Sequence, residues 1–132
     1  MIDDQRDIAD LLYHYFQIVD DGLDEEIPSF FTEDGVFDGI TGRMVIHQDL
    51  DKFVAGIKAM RDGAFAHMRH FTSDMRISVN GDTATARSCV LVTGKGTDGS
   101  FKIAATGKFL DTLRRTPSGW KFVERVAKVD GA

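Results

Sequence analysis

An aspartate and a histidine about fifty residues apart are the pair in this chain best suited to moving a proton. Asp20 closes the run Tyr15-Phe16-Gln17-Ile18-Val19-Asp20, and His70 lies within His67-Met68-Arg69-His70-Phe71-Thr72-Ser73-Asp74. An imidazole titrates near neutral pH, and a carboxylate beside it fixes its tautomer and stabilises its protonated form. Together in an apolar pocket, such a pair can take a proton from a carbon next to a carbonyl. Elimination or isomerisation without a cofactor is the chemistry that follows. Kept apart, the two residues leave a binding or assembly module.

Whether they meet depends on the elements that carry them. Ile8, Leu11, Leu12, Tyr15, Phe16 and Val19 recur at helical spacing and form one apolar stripe. Asp3 or Asp4 suits the start of this helix and Gly22 its end. At 100° per residue, Asp20 falls roughly 110° from the centre of the stripe, so it can look into a pocket at the helix edge. Asp21 points almost directly away, toward water. Tyr13 and Phe16 are nearer to Asp20 in angle than Tyr15, which sits mid-stripe and is expected to be buried. Strand alternation puts Phe71, Met75, Ile77 and Val79 on one face and Met68, His70, Thr72 and Asp74 on the other, a parity that a β-bulge would shift.

The rest of the chain reads as an α+β fold. A second helix is expected from about Asp24 to Phe31, with Pro28 in its first turn. Thr32 to Gly35 turns into a short strand, Val36–Asp38, and Arg43–Ile46 returns beside it. A third helix covers Asp49 to Met60. Four strands follow: Ala66–Val79, Thr83–Thr93, Ser100–Leu113 and Trp120–Val129, the first two joined by Asn80-Gly81-Asp82, a strong hairpin signal. Helices first and a strand meander after them predict helices packed on one face of a curved antiparallel sheet.

Composition narrows the function. One domain of 132 residues with net charge −5 and 42% hydrophobic residues is ordinary globular material. No basic stripe for nucleic acid is visible in the sequence, and no apolar run is long enough for a bilayer. The start, Met1-Ile2-Asp3-Asp4, has neither the basic nor the apolar segment of a secretory signal, and a single cysteine, Cys89, allows no internal disulfide. The expected address is the cytoplasm. His67 and His70, three apart in a strand, point to opposite faces, and no cysteine or nearby carboxylate completes a metal set. Gly94-x-Gly96 precedes no helix and carries no nucleotide signal. Neither metal nor organic cofactor is expected. His14 and His47 read as surface residues and Cys89 as packed; Arg125, on the face opposite Trp120 and Phe122, could bind an anionic substrate group but better suits a surface or interface ion pair. Ala104, Ala105 and Gly107 leave room in a central strand for a ligand or a sharp bend.

Several segments in this order resemble the NTF2-like superfamily, and within it the SnoaL-like, scytalone-dehydratase-like group. They are Tyr15-x4-Asp20, Phe31-Thr32-Glu33-Asp34-Gly35-Val36-Phe37, His70 with Asp74, Val79-Asn80-Gly81-Asp82-Thr83-Ala84, and Gly119-Trp120-Lys121-Phe122-x2-Arg125. The resemblance covers essentially the whole chain. It implies a cone whose helices and bent sheet enclose a pocket for a small hydrophobic ligand, and a homodimer through the sheet. It also implies that Tyr15, Asp20 and His70 serve the pocket, with His70 as base, Asp20 orienting it and Tyr15 polarising a carbonyl; the roles of Asp20 and His70 could be exchanged. Asp74 departs from the pattern, since many relatives carry asparagine there, and its charge is expected to disturb carboxylates nearby. The superfamily also holds non-catalytic members such as the small subunit of ring-hydroxylating dioxygenases, whose start Val19-Asp20-Asp21-Gly22-Leu23-Asp24-Glu25 resembles, so fold alone does not decide function.

Overall fold

The computed structural model describes residues 3–132; Met1 and Ile2, part of the start discussed above, lie outside them. Helix α1 spans Asp4–Asp20, followed by a 3-10 segment at Asp24–Phe30. Strands β1 (Phe31–Gly39) and β2 (Gly42–Val45) form a hairpin. Helix α2 (Ile46–Ala59) ends in a π-helical turn at Met60–Ala64. The meander is β3 (Ala66–Asn80), β4 (Thr83–Lys95), β5 (Phe101–Thr116) and β6 (Gly119–Val129). The six strands form one curved, open sheet in the order β2-β1-β6-β5-β4-β3, with the helices on one face. The fold is α+β, as the order of elements predicts.

The stripe of α1 is its buried face: Ile8, Leu12, Tyr15, Phe16 and Val19 all enter the core. Asp3 caps the helix by accepting the Arg6 amide at 3.0 Å. At the other end, the Leu23 amide donates to the Ile18 carbonyl and the Gly22 amide to that of Val19, with Gly22 at φ 73°. This is a Schellman closure around a left-handed glycine, and it fixes Asp20 as the last helical residue. Two starts differ from expectation, and β4 and β5 run on past their expected ends to Lys95 and Thr116. β1 already begins at Phe31, and the stretch read as a turn before Val36 is an irregularity in its parallel pairing with β6. α2 begins at Ile46, where the sequence suggested a strand.

Bulges change which side chains face the helices. In β3 the pairing with β4 shifts between Ser73 and Arg76, and Asp74 takes φ 49°. One extra residue there reverses the alternation. Met68, His70 and Thr72 therefore share the helix-facing side with Met75, Ile77 and Val79, while Phe71 is 53% exposed on the other. The parity expected from the sequence is corrected on this point. A second shift, between Thr112 and Leu113 of β5, leaves Val123 of β6 unpaired. It brings Arg125 to the same buried side as Trp120 and Phe122, overturning the surface position read for it.

The outer face of the sheet is exposed and unexpectedly basic. Arg76 lies directly opposite Arg87, Lys108 opposite Lys128, and Arg114 opposite Lys121. Cross-strand like charges repel, and here all three pairs are positive. Scattered in sequence, these cations are gathered by strand pairing. Phe71 pairs with Leu91 on the same face, and Cys89 is exposed there beside Lys108 rather than packed. Among the described residues no helix is long and apolar enough to cross a membrane.

Candidate functional site

The end of α1 lies against β3, the edge strand of the sheet, whose outward amides have no neighbouring strand to receive them. Asp20 answers one of them. Its Oδ2 accepts the backbone amide of His70 at 3.0 Å, and its Oδ1 lies 2.6 Å from His70 Nδ1. A carboxylate at a helix C-terminus faces the negative end of the helix dipole; these two donors offset that penalty. Both side chains are mostly covered, at 9% and 17% exposure. With the proton on Nδ1 shared with a carboxylate, Nε2 of a neutral imidazole is left as an acceptor. The ring lies flat on Phe16, with centroids 4.6 Å apart and planes within 6°, so its orientation is set from both edge and face.

His70 opens onto a cavity of about 220 Å³ between helices and sheet. Phe16, Phe37, Phe53, Val90, Val92 and Phe109 make its wall almost wholly apolar. Ala105 also lines it, beside the bulge where Val92 and Thr93 shift register against β5. At Gly107, a Cβ would come within 2.4 Å of the Lys128 carbonyl, so the neighbouring strand can approach this closely only without a side chain. The room expected at these small residues is present as cavity beside Ala105. The mouth is formed by Ile40 and Thr41 at the β1–β2 tip and by Met60. Arg61, donating to Asp24 at 3.0 Å and to the Val19 carbonyl at 3.3 Å, ties that rim to the end of α1.

Tyr15 lines the same cavity and is 2% exposed, whereas Tyr13 is half-exposed on the solvent side. Burial pushes the Tyr15 phenol well above its ordinary range, opposed by the nearby Arg125 charge, so it keeps its proton at neutral pH and can donate a hydrogen bond. Among the described residues it makes no hydrogen bond to Asp20 or His70. The structure thus joins two of the three sequence-derived residues directly and sets the third across a shared space. Asp21 is exposed, as its angle predicts. Asp74 is also exposed, in the β3 bulge, and has no ion pair with the Asp20–His70 unit, so the disturbance expected from it does not arise through contact. His67, at φ 52°, is exposed, and among the described residues no group of three or more His, Cys, Asp or Glu is placed to hold a metal.

One feature of the site escaped the sequence. Arg125 is fully buried, with Nε 3.2 Å from Asp111 Oδ1, and its guanidinium is boxed by Phe109 at 4.1 Å, Tyr15 at 4.5 Å, Phe122 at 4.6 Å and Phe16 at 5.0 Å. Three of these rings, Tyr15, Phe16 and Phe109, also line the cavity. Desolvation pushes Asp111 up to about 6 against the pull of Arg125. Alternation along β5 sets Asp111 on the buried side with Phe109 and Leu113, whereas alternation from Trp120 turns Arg125 outward, and only the bulge at Val123 brings it inside.

Helices packed on one face of an open, curved six-stranded sheet are the NTF2-like arrangement. Within it, residues 1–126 match the SnoaL-like domain model, and the chain belongs to that family. An NTF2-like protein with a cystatin-like fold from Novosphingobium aromaticivorans is 28% identical, with TM-score 0.83 over 98% of this chain and 84% of that one. A candidate scytalone dehydratase from the same organism, 24% identical over 95% of this chain and 83% of its own, has TM-score 0.78. The beta subunit of a candidate aromatic-ring-hydroxylating dioxygenase, also from that organism, is 21% identical over 97% and 90%, with TM-score 0.79. The last two share the fold, and their identities carry no more than that. No curated protein matches by sequence.

Proposed function

We propose that this protein is a cofactor-independent lyase or isomerase acting by general acid–base catalysis on a hydrophobic, ring-containing small molecule. The observation that carries this reading is the 2.6 Å contact between Asp20 and His70 at the wall of an apolar cavity. Both oxygens of Asp20 are engaged by His70, which favours the imidazole as base and the carboxylate as its orienting partner. Nε2 takes a proton from the carbon next to a carbonyl. The C–H electron pair becomes a carbon–carbon double bond, and the carbonyl π electrons move to oxygen, which accepts a hydrogen bond from Tyr15. The imidazolium then returns the proton at another carbon, or gives it to a departing hydroxyl. A space of about 220 Å³ exceeds the ~150 Å³ that takes up benzene, so a substituted single or fused ring fits. Small ring hydroxy-ketones screened for loss of water or double-bond migration test the reading. Turnover found this way is expected to survive exhaustive chelation; loss in chelator, restored by one particular metal, contradicts it.

A second reading rests on the outer face of the sheet. Its exposed Phe71, Leu91 and Ile103 suit a protein interface, so the same fold could serve as a non-catalytic ligand-binding or assembly module, as in a dioxygenase small subunit. In either role we place a second copy of this chain on that face, as a homodimer. Self-pairing then sets basic rows near basic rows. The dimer is expected by sedimentation at micromolar concentration and is expected to tighten as salt rises, because added ions screen the repulsion. A monomer at every salt concentration overturns it. The cytoplasm remains the proposed address, in keeping with the unpaired Cys89.

A further inference from the structure

The Arg125–Asp111 pair is a costly way to fill a core. All three guanidinium nitrogens and both carboxylate oxygens are buried without a well-formed hydrogen bond among the described residues, despite the 3.2 Å approach of Nε to Oδ1. Each buried polar atom left so costs stability, and apolar side chains of similar volume commonly serve stability as well or better. The pair's position suggests what else it does. The guanidinium lies under the ring of Tyr15 and beside that of Phe16, the residue on which His70 stacks. Arg125 does not itself line the cavity but lies directly behind the rings that do, and among the described residues it is the fully buried cation there; Lys108 and Lys128, which line the cavity, are partly or fully exposed.

We propose that Arg125 is a positioning residue that holds the Tyr15 ring by cation–π contact and gives the cavity floor a fixed positive potential, so that the site prefers an anionic oxygen to a neutral one. The inference rests on the proposed acid–base reading and names what that chemistry needs. When His70 removes a carbon-bound proton, negative charge appears on the substrate oxygen. Preorganised positive charge in a dry site stabilises it without reorganisation. At Tyr15 burial raises the phenol more than either charge moves it, and of the two charges Arg125 has the larger influence, so Asp111 does not cancel it. Asp111 instead keeps the cation from being a lone buried charge.

Binding of 4-nitrophenol tests this without any turnover, because phenol and phenolate absorb differently and nitrobenzene serves as the neutral control. The wild-type protein is expected to favour phenolate, lowering the apparent pKa of the bound dye. The double variant R125M/D111L, which leaves no unpaired charge, is expected to bind nitrobenzene nearly unchanged. Its phenolate-to-phenol affinity ratio should fall about tenfold, equivalent to one unit in the dye's bound pKa. Asp111→Asn, which keeps the cation and removes the anion, is expected to move the ratio the opposite way. A merely structural pair predicts no such opposition of sign. A wild-type protein with no phenolate preference, or a folded double variant that retains it, overturns the proposal. If phenolate preference is present in a protein that exchanges no substrate protons, the dyad fails and Arg125's role stands.

Discussion

His70→Ala and Asp20→Asn are each expected to lower turnover by about a hundredfold or more. The alanine removes the only acceptor that His70 presents to the cavity. The asparagine can still accept from one donor, yet it cannot stabilise an imidazolium, and its amide favours the wrong tautomer. The double variant should lose little beyond the worse single change, because residues acting as one unit are not additive. Asp21→Asn, altering an exposed carboxylate one residue away, should leave the rate near wild type. Thermal melts of each variant separate catalytic loss from unfolding. If both single variants fold and keep most of their activity, the dyad is wrong and the binding-module reading takes its place.

Asp111→Ala is expected to have the largest effect on stability, on the order of 3–5 kcal/mol, by leaving Arg125 buried and unpaired. Arg125→Met should cost less in acid, since a carboxylate can neutralise itself by binding a proton and a guanidinium cannot. The pH dependence has a definite sign. Asp111 sits at about 6 in the folded protein against 3.8 ordinarily, so between those values the folded state holds more protons than the unfolded one. Its contribution to stability is fully present below pH 3.8 and is lost as pH rises through 6, opposite to an ordinary paired carboxylate. Denaturant melts of the wild type and R125M/D111L across this window isolate the effect. The stability difference, wild type minus double variant, should fall with rising pH. A difference that rises or stays flat contradicts the assignment.

Much of this was legible in the sequence because local periodicity and global packing agree. The α1 stripe, Gly22 as its stop and Asn80-Gly81-Asp82 as a hairpin each specify one local geometry, and the fold uses all three. Asp20 was placed at the pocket edge by helical angle alone, and His70 by its strand. The misses share a cause. Asp74 and Val123 are bulged residues, and one extra residue in a strand reverses every side chain beyond it. Neither position carries a glycine or proline to announce the shift. Hence Phe71 was set with Met75, and Arg125 was turned outward from the core it occupies. The basic outer face was hidden for a different reason: Arg76 and Arg87, or Lys108 and Lys128, become neighbours only through pairing register. Tyr15 gained a cavity position from structure, while its chemical role still rests on the proposed mechanism.

Proton abstraction itself is the most direct observable of the central claim. Ring ketones that bind the cavity, established by shifts in the protein's amide resonances, are incubated with the protein in heavy water, and loss of the proton beside the carbonyl is followed by NMR. Exchange well above the rate in protein-free buffer, abolished in His70→Ala and strongly reduced in Asp20→Asn, is the expected result. Ketones that bind in the cavity yet exchange no faster with wild-type protein than in buffer alone would contradict the account.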